Sequence, residues 1–66
     1  MAGRNYYVIL GVERDESPTG IRSAYRDLAQ RYHPDRIGPA GTAAFQEISE
    51  AYATLSHPDR RAEYNH

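Results

Sequence analysis

The feature that most constrains this chain is an apolar stripe cut short by a proline. Ile21, Ala24, Tyr25, Leu28, Ala29 and Tyr32 recur at i, i+3, i+4, i+7, i+8 and i+11, the period of one face of an amphipathic helix over about three turns. Pro34 offers no backbone N–H and pushes the residue before it out of the α region, so the helix must stop near Tyr32 or His33. Ser17-Pro18 marks the start, with serine as N-cap and proline at the first helical position, although Gly20 stands where a capping box would place Glu or Gln. The stripe needs a partner, and Phe45, Ile48, Tyr52 and Leu55 supply one at i, i+3, i+7 and i+10, with Ala44 and Ala51 beside them. The spacing predicts a central antiparallel pair of helices, about 18–32 and 42–55. Ala24, Ala29, Ala44 and Ala51 let the axes approach, while Leu28, Phe45, Ile48 and Leu55 fill the core.

Two short helices flank this pair. Asn5 as N-cap and Gly11 as C′ residue predict a first helix at about 6–10. So short a helix does not stand alone, and its Tyr7, Val8, Ile9 and Leu10 are expected to pack on the pair. Val12 to Glu16 is a polar connector. Ser56-His57-Pro58-Asp59 ends the third helix and opens a fourth at about 58–64, with Pro58 at its first position, Asp59 in its first turn and Tyr64 folding back as apolar anchor. Arg36-Ile37-Gly38-Pro39-Ala40-Gly41 reads as loop, because glycine and proline dominate it. No period-2 alternation interrupts this pattern, so the class is all-α: four helices, short, long, long and short.

A chain of 66 residues holds one domain, 1–66, and buries a modest fraction of its surface. Without cysteine it has no disulfides, no Cys-based zinc site and no thiol nucleophile, and packing alone must hold it. A fully buried Phe45 would then cost about 3–5 kcal/mol on truncation to Ala. The formal net charge of −1 predicts neither a strong nucleic-acid field nor a membrane-surface anchor. Residues 1–10 contain no apolar stretch long enough for a signal peptide or membrane span, and the expected location is cytoplasmic. All 8 basic residues are arginine, a planar, forked donor suited to interfaces as well as a mark of coding bias.

His33-Pro34-Asp35 sits where the long helix gives way to the Gly/Pro segment. A loop carboxylate held by a rigid helix suits recognition by a partner protein, and an Asx-type helix stop is the plainer alternative. His57-Pro58-Asp59 repeats the residues in another setting, beginning a helix instead of ending one, and reads as structural. The 3 histidines show no His-x-x-x-His pair or other ligand spacing, so no metal or cofactor is expected. A hydrolase built on His33 and Asp35 would lack a cysteine nucleophile, a phosphate-binding glycine loop beside a strand and room for a deep pocket. A helix-turn-helix module would lack a dense basic or Asn/Gln-rich recognition face.

Taken together, Tyr6-Tyr7-x-x-Leu10-Gly11-Val12, Ala24-Tyr25-Arg26-x-Leu28-Ala29-x-x-Tyr32-His33-Pro34-Asp35 and Phe45-x-x-Ile48-x-x-Ala51-Tyr52-x-x-Leu55-Ser56 closely resemble the J-domain of the DnaJ co-chaperone family. The resemblance runs from about Asn5 to Tyr64. It implies a small J-domain fold that performs no catalysis itself. Such a domain binds a heat-shock 70 (DnaK-type) chaperone, stimulates its ATP hydrolysis and so couples it to client protein. Carried over, Asp35 faces an arginine of the partner in a charge-assisted pair, His33 packs and hydrogen-bonds, and Pro34 holds the turn. The resemblance also implies a basic docking face, matched here by Arg22 and Arg26, with Tyr25 at its edge and Arg36 just beyond the tripeptide. At about 100° per residue Arg22, Arg26 and Ala29 share one flank of the stripe. Arg22 and Arg26 are like charges at i, i+4, which gains nothing for folding; an ordinary solvated face is the alternative reading.

The chain departs from the family where further basic residues are usual: Ser23, Asp27 and Gln30 thin the positive face, and Asp27 is placed to pair with Arg31. Weaker or more selective docking is expected. Ile37 is either a plug that tethers the loop or a contact. The domain is expected to be monomeric, without nucleic-acid or membrane partners, and a start at Met1 with an end just after the fourth helix suggests the amino-terminal domain of a longer DnaJ-like protein.

Overall fold

The computed structural model describes residues 5–66; the first four residues of the expected 1–66 domain lie outside the described residues. Helices α1 (Tyr6–Leu10), α2 (Pro18–Arg31), α4 (Gly41–Leu55) and α5 (Pro58–Asn65) occupy the four expected places. Between α2 and α4 the chain is not a loop. Pro34–Ile37 forms a one-turn helix, α3, and Gly38–Ala40 a 3-10 turn. The expectation failed because four residues carry no period to read, and proline, a breaker inside a helix, is an initiator at its first position.

The caps hold as the residue types dictate. The Asn5 side chain accepts from the Tyr7 and Val8 amides, and Ser17 Oγ accepts from Gly20 N–H at 3.0 Å. The capping box lacking at Gly20 is partly replaced from outside the helix, where Glu16 Oε2 takes the Ser17 N–H at 3.2 Å. Gly11, at φ 71°, closes α1 with its N–H on the Tyr7 and Val8 carbonyls.

α2 and α4 run antiparallel. Tyr25 stacks on Tyr52, with centroids 4.2 Å apart, and His33 meets Phe45 edge-on at 5.5 Å. Advance along α2 is therefore retreat along α4. The buried core is Tyr7, Leu10, Ile21, Ile48, Ala51 and Leu55, drawn from α1, α2 and α4. Leu28 and Phe45, expected in it, are only half-buried. α1 and α5 close over the end of the pair that holds Ile21 and Leu55, whereas α3, at the other end, contributes no buried side chain. Phe45→Ala should therefore cost about half of the 3–5 kcal/mol typical of a buried phenylalanine. Val8 is a second correction: it is 72% exposed, since a helix of 5 residues turns one side inward and Tyr7 and Leu10, three apart, take it.

α5 is anchored by more than Tyr64. That ring stacks on Tyr6 at 4.8 Å, and its hydroxyl accepts the Tyr6 N–H. The stronger tie is Arg61. Its Nε donates to Tyr7 Oη at 3.1 Å and its Nη2 to the Arg14 and Glu16 carbonyls at 2.8 and 2.7 Å, while Tyr7 Oη donates on to Asn65 at 2.7 Å. One guanidinium thus ties α5 to α1 and to the connector before α2.

Candidate functional site

The site begins where the stripe ends. The Tyr32 N–H still bonds Leu28 O, but Tyr32 has left helical geometry (φ −106°, ψ 16°). His33 is extended (φ −62°, ψ 135°), as a residue before proline must be. Pro34 then starts α3, so Asp35 lies in a helical first turn instead of on the expected loop. His33 is the N-cap. Its Nδ1 accepts the Asp35 N–H at 3.2 Å, which places the proton of the neutral ring on Nε2, and its main-chain carbonyl takes the Arg36 amide at 2.8 Å. A histidine here does what Asn or Ser does at other helix starts.

The Asp35 side chain is 91% exposed, with Oδ2 3.7 Å from His33 Nδ1. Its backbone is fixed by the cap and its carboxylate is open to solvent, which is what charge-assisted pairing with an outside cation requires. α3 ends at Gly38 (φ 74°, ψ −164°), a conformation closed to residues with a Cβ. The chain then turns so tightly that a Cβ on Gly41 would run into the Ile37 side chain and sit 2.9 Å from the Tyr32 carbonyl. Ile37 leans on Gly41, as a tether for this segment would, and remains 44% exposed.

Arg22, Arg26 and Arg36 are exposed, and among the described residues none of them has an ion-pair partner. Arg31 does, lying 3.5 Å from Asp27 in the expected i, i+4 pair. Tyr25 is half-buried with one face covered by Tyr52. Sequence reasoning missed a shallow hollow of about 320 Å³ lined by Ala29, Gln30, His33, Arg36 and Phe45. Since Arg22, Arg26 and Ala29 share one flank of α2 and Ala29 lines the hollow, the hollow continues the arginine flank. Phe45 was assigned to the core, yet its place at the start of α4, opposite the end of α2, was the available signal.

Among the described residues no group of three or more His, Asp or Glu side chains is arranged to hold a metal ion, and no helix is long and apolar enough to cross a membrane.

Residues 5–65 match the DnaJ domain. The chain is similar to Chaperone protein DnaJ of Methanosarcina thermophila, 54% identical over 63 residues, which are 94% of this chain and 16% of that protein. It is similar also to Chaperone protein DnaJ of Deinococcus proteolyticus, 51% identical over 67 residues, covering 98% of this chain and 22% of that protein. The human DnaJ homolog subfamily C member 18 is 51% identical over 63 residues, 94% of this chain and 18% of that protein. The chain therefore spans about a fifth or less of these relatives. A capped His33-Pro34-Asp35, an antiparallel pair behind it and a match over residues 5–65 lead to one conclusion: the chain belongs to the DnaJ domain family.

Proposed function

We propose that this domain is a co-chaperone module that binds a heat-shock 70 (DnaK-type) chaperone and stimulates its ATP hydrolysis, without catalysing a reaction of its own. The observation that carries the reading is Asp35: a carboxylate 91% exposed, fixed at its backbone by the His33 cap, in a family whose members include chaperone proteins. In this reading Asp35 pairs with an arginine of the chaperone, His33 and Pro34 set the turn that presents it, and Arg22, Arg26 and Arg36 meet an acidic surface with Tyr25 at its edge. The partner is a protein, not a nucleic acid or a membrane, and the domain acts as a monomer in the cytoplasm. Ser23, Asp27 and Gln30 leave few free cations on α2, so docking is weaker or more selective than a fully basic face would give.

Single-turnover ATP hydrolysis by DnaK-type chaperones, with the wild-type domain, Asp35→Asn and Arg26→Glu added in parallel, tests this. Circular dichroism confirms that each variant is folded. Stimulation that vanishes with Asp35→Asn and weakens with Arg26→Glu supports the reading. A folded wild type that stimulates none of several chaperones refutes it.

A further inference from the structure

His33 Nδ1 faces two groups of the same residue. It accepts the Asp35 N–H at 3.2 Å and lies 3.7 Å from Asp35 Oδ2. The first is a hydrogen bond and needs a bare nitrogen; the second is too long to be one, and closing it would need a proton on the same nitrogen. Imidazole is the side chain suited to change between those states within a physiological pH range. Among the described residues, the charged groups its own segment brings are Asp35 and Arg36, while α2 and α4 set Ala29, Gln30 and Phe45 beside it, none of them titratable.

We propose that protonation of His33 is a switch on the docking carboxylate. In the neutral state the cap holds α3 and leaves Asp35 open. On taking a proton at Nδ1, the imidazolium can no longer accept the Asp35 amide, so the cap is lost; the new N–H donates to the Asp35 carboxylate a short rotation away. The side chain that would meet the chaperone is then occupied within the domain, and α3, a single turn with no buried residue, keeps only its main-chain bonds and the lean of Ile37 on Gly41. Docking is strong with His33 neutral and weakens as pH falls.

The chain contains its own control. His57 precedes Pro58-Asp59 with the same extended backbone but makes no side-chain cap bond, so its protonation breaks nothing. The test tracks the backbone amides of Asp35 and Asp59 with the rings of His33 and His57 by NMR, in the 66-residue chain, from pH 8 to pH 5. The expected result is an Asp35 amide that moves with the His33 ring and loses its protection, measured against an unstructured amide at the same pH, at least several-fold as the ring charges, while Asp59 does not follow His57. In His33→Asn, which keeps a cap oxygen but cannot titrate, the Asp35 amide should stay flat. An Asp35 amide indifferent to the His33 ring, or one that still moves over this range in His33→Asn, overturns the switch.

The effect on docking rests on the function proposed above. Binding of the wild-type domain to a DnaK-type chaperone should fall several-fold across the same range, with the midpoint of the His33 ring. A loss that follows another midpoint overturns this part. Because the NMR result needs no chaperone, absence of binding at every pH refutes the co-chaperone reading and not the switch.

Discussion

The tetrapeptide His-Pro-Asp-Arg occurs twice, at residues 33–36 and 57–60, and the two copies begin alike. Each histidine is extended, each proline takes the first helical position and each aspartate sits in the first turn. They diverge beyond the arginine. After Arg36 come Ile37 and Gly38, and the helix ends after one turn, capped by His33, with its carboxylate in solvent. After Arg60 come Arg61 and Ala62, and the helix runs on to Asn65 with no side-chain cap, held by Arg61 and Tyr64 against α1. A short sequence sets how a helix starts; contacts distant in sequence decide whether that start becomes a support or a presented surface. The notion that the two copies differ because only the second begins a helix is thus corrected: both do.

The strongest way to break the comparison is to exchange charge for amide at its two aspartates. Asp35→Asn should reduce chaperone stimulation at least tenfold in single-turnover assays, while Asp59→Asn leaves it within twofold. Equal losses would mean that the copies are not distinct in use. Next comes the arginine that only the second copy has behind it. Arg61→Ala removes donors to Tyr7 Oη and to the Arg14 and Glu16 carbonyls and should cost about 2–3 kcal/mol, a fall in Tm of roughly 10 °C or more for a domain of this size. Arg36→Ala should leave Tm nearly unchanged.

A reciprocal pair at the matched positions 38 and 62 sharpens the contrast. Gly38→Ala forces a Cβ into a positive-φ conformation and should cost about 1–3 kcal/mol. Ala62→Gly, in an exposed helix interior, should cost about 1 kcal/mol, both read from denaturant midpoints. The smallest effect is at Tyr6, whose hydroxyl donates to Glu50 at 3.0 Å. Partial burial and the neighbouring carboxylate raise its pKa above the usual 10.0. A raised folded-state pKa means that this contribution is present below pH 10 and is lost as pH rises beyond it. Tyr6→Phe should lower stability by about 0.5 kcal/mol and flatten the alkaline limb of the wild-type pH curve.

Much of the fold was legible in the sequence because it is local. Asn5, Gly11, Ser17 and Pro18 act within one turn of themselves, and the stripes of α2 and α4 repeat often enough to give a period. What escaped was either too short or too distant. α3 is a single turn, and its end depends on a backbone angle at Gly38 that a glycine permits but does not announce. Val8 sits in a helix apolar on every side, where composition cannot say which face turns inward. Arg61 reaches residues 45 to 54 positions away, and nothing in its own segment marks it from the exposed Arg60. The tripeptide itself stood out by residue type, but its histidine's work as a cap emerged only from the geometry.

The absence of buried side chains in α3 bears on how this family can diversify. Substitutions from Pro34 to Ile37 that respect the cap and the closing glycine leave the core untouched, so on the proposed function selection meets them through the partner and hardly at all through folding. Recognition can drift there while the four longer helices stay as they are, and two such domains of equal stability can differ in which chaperone they serve.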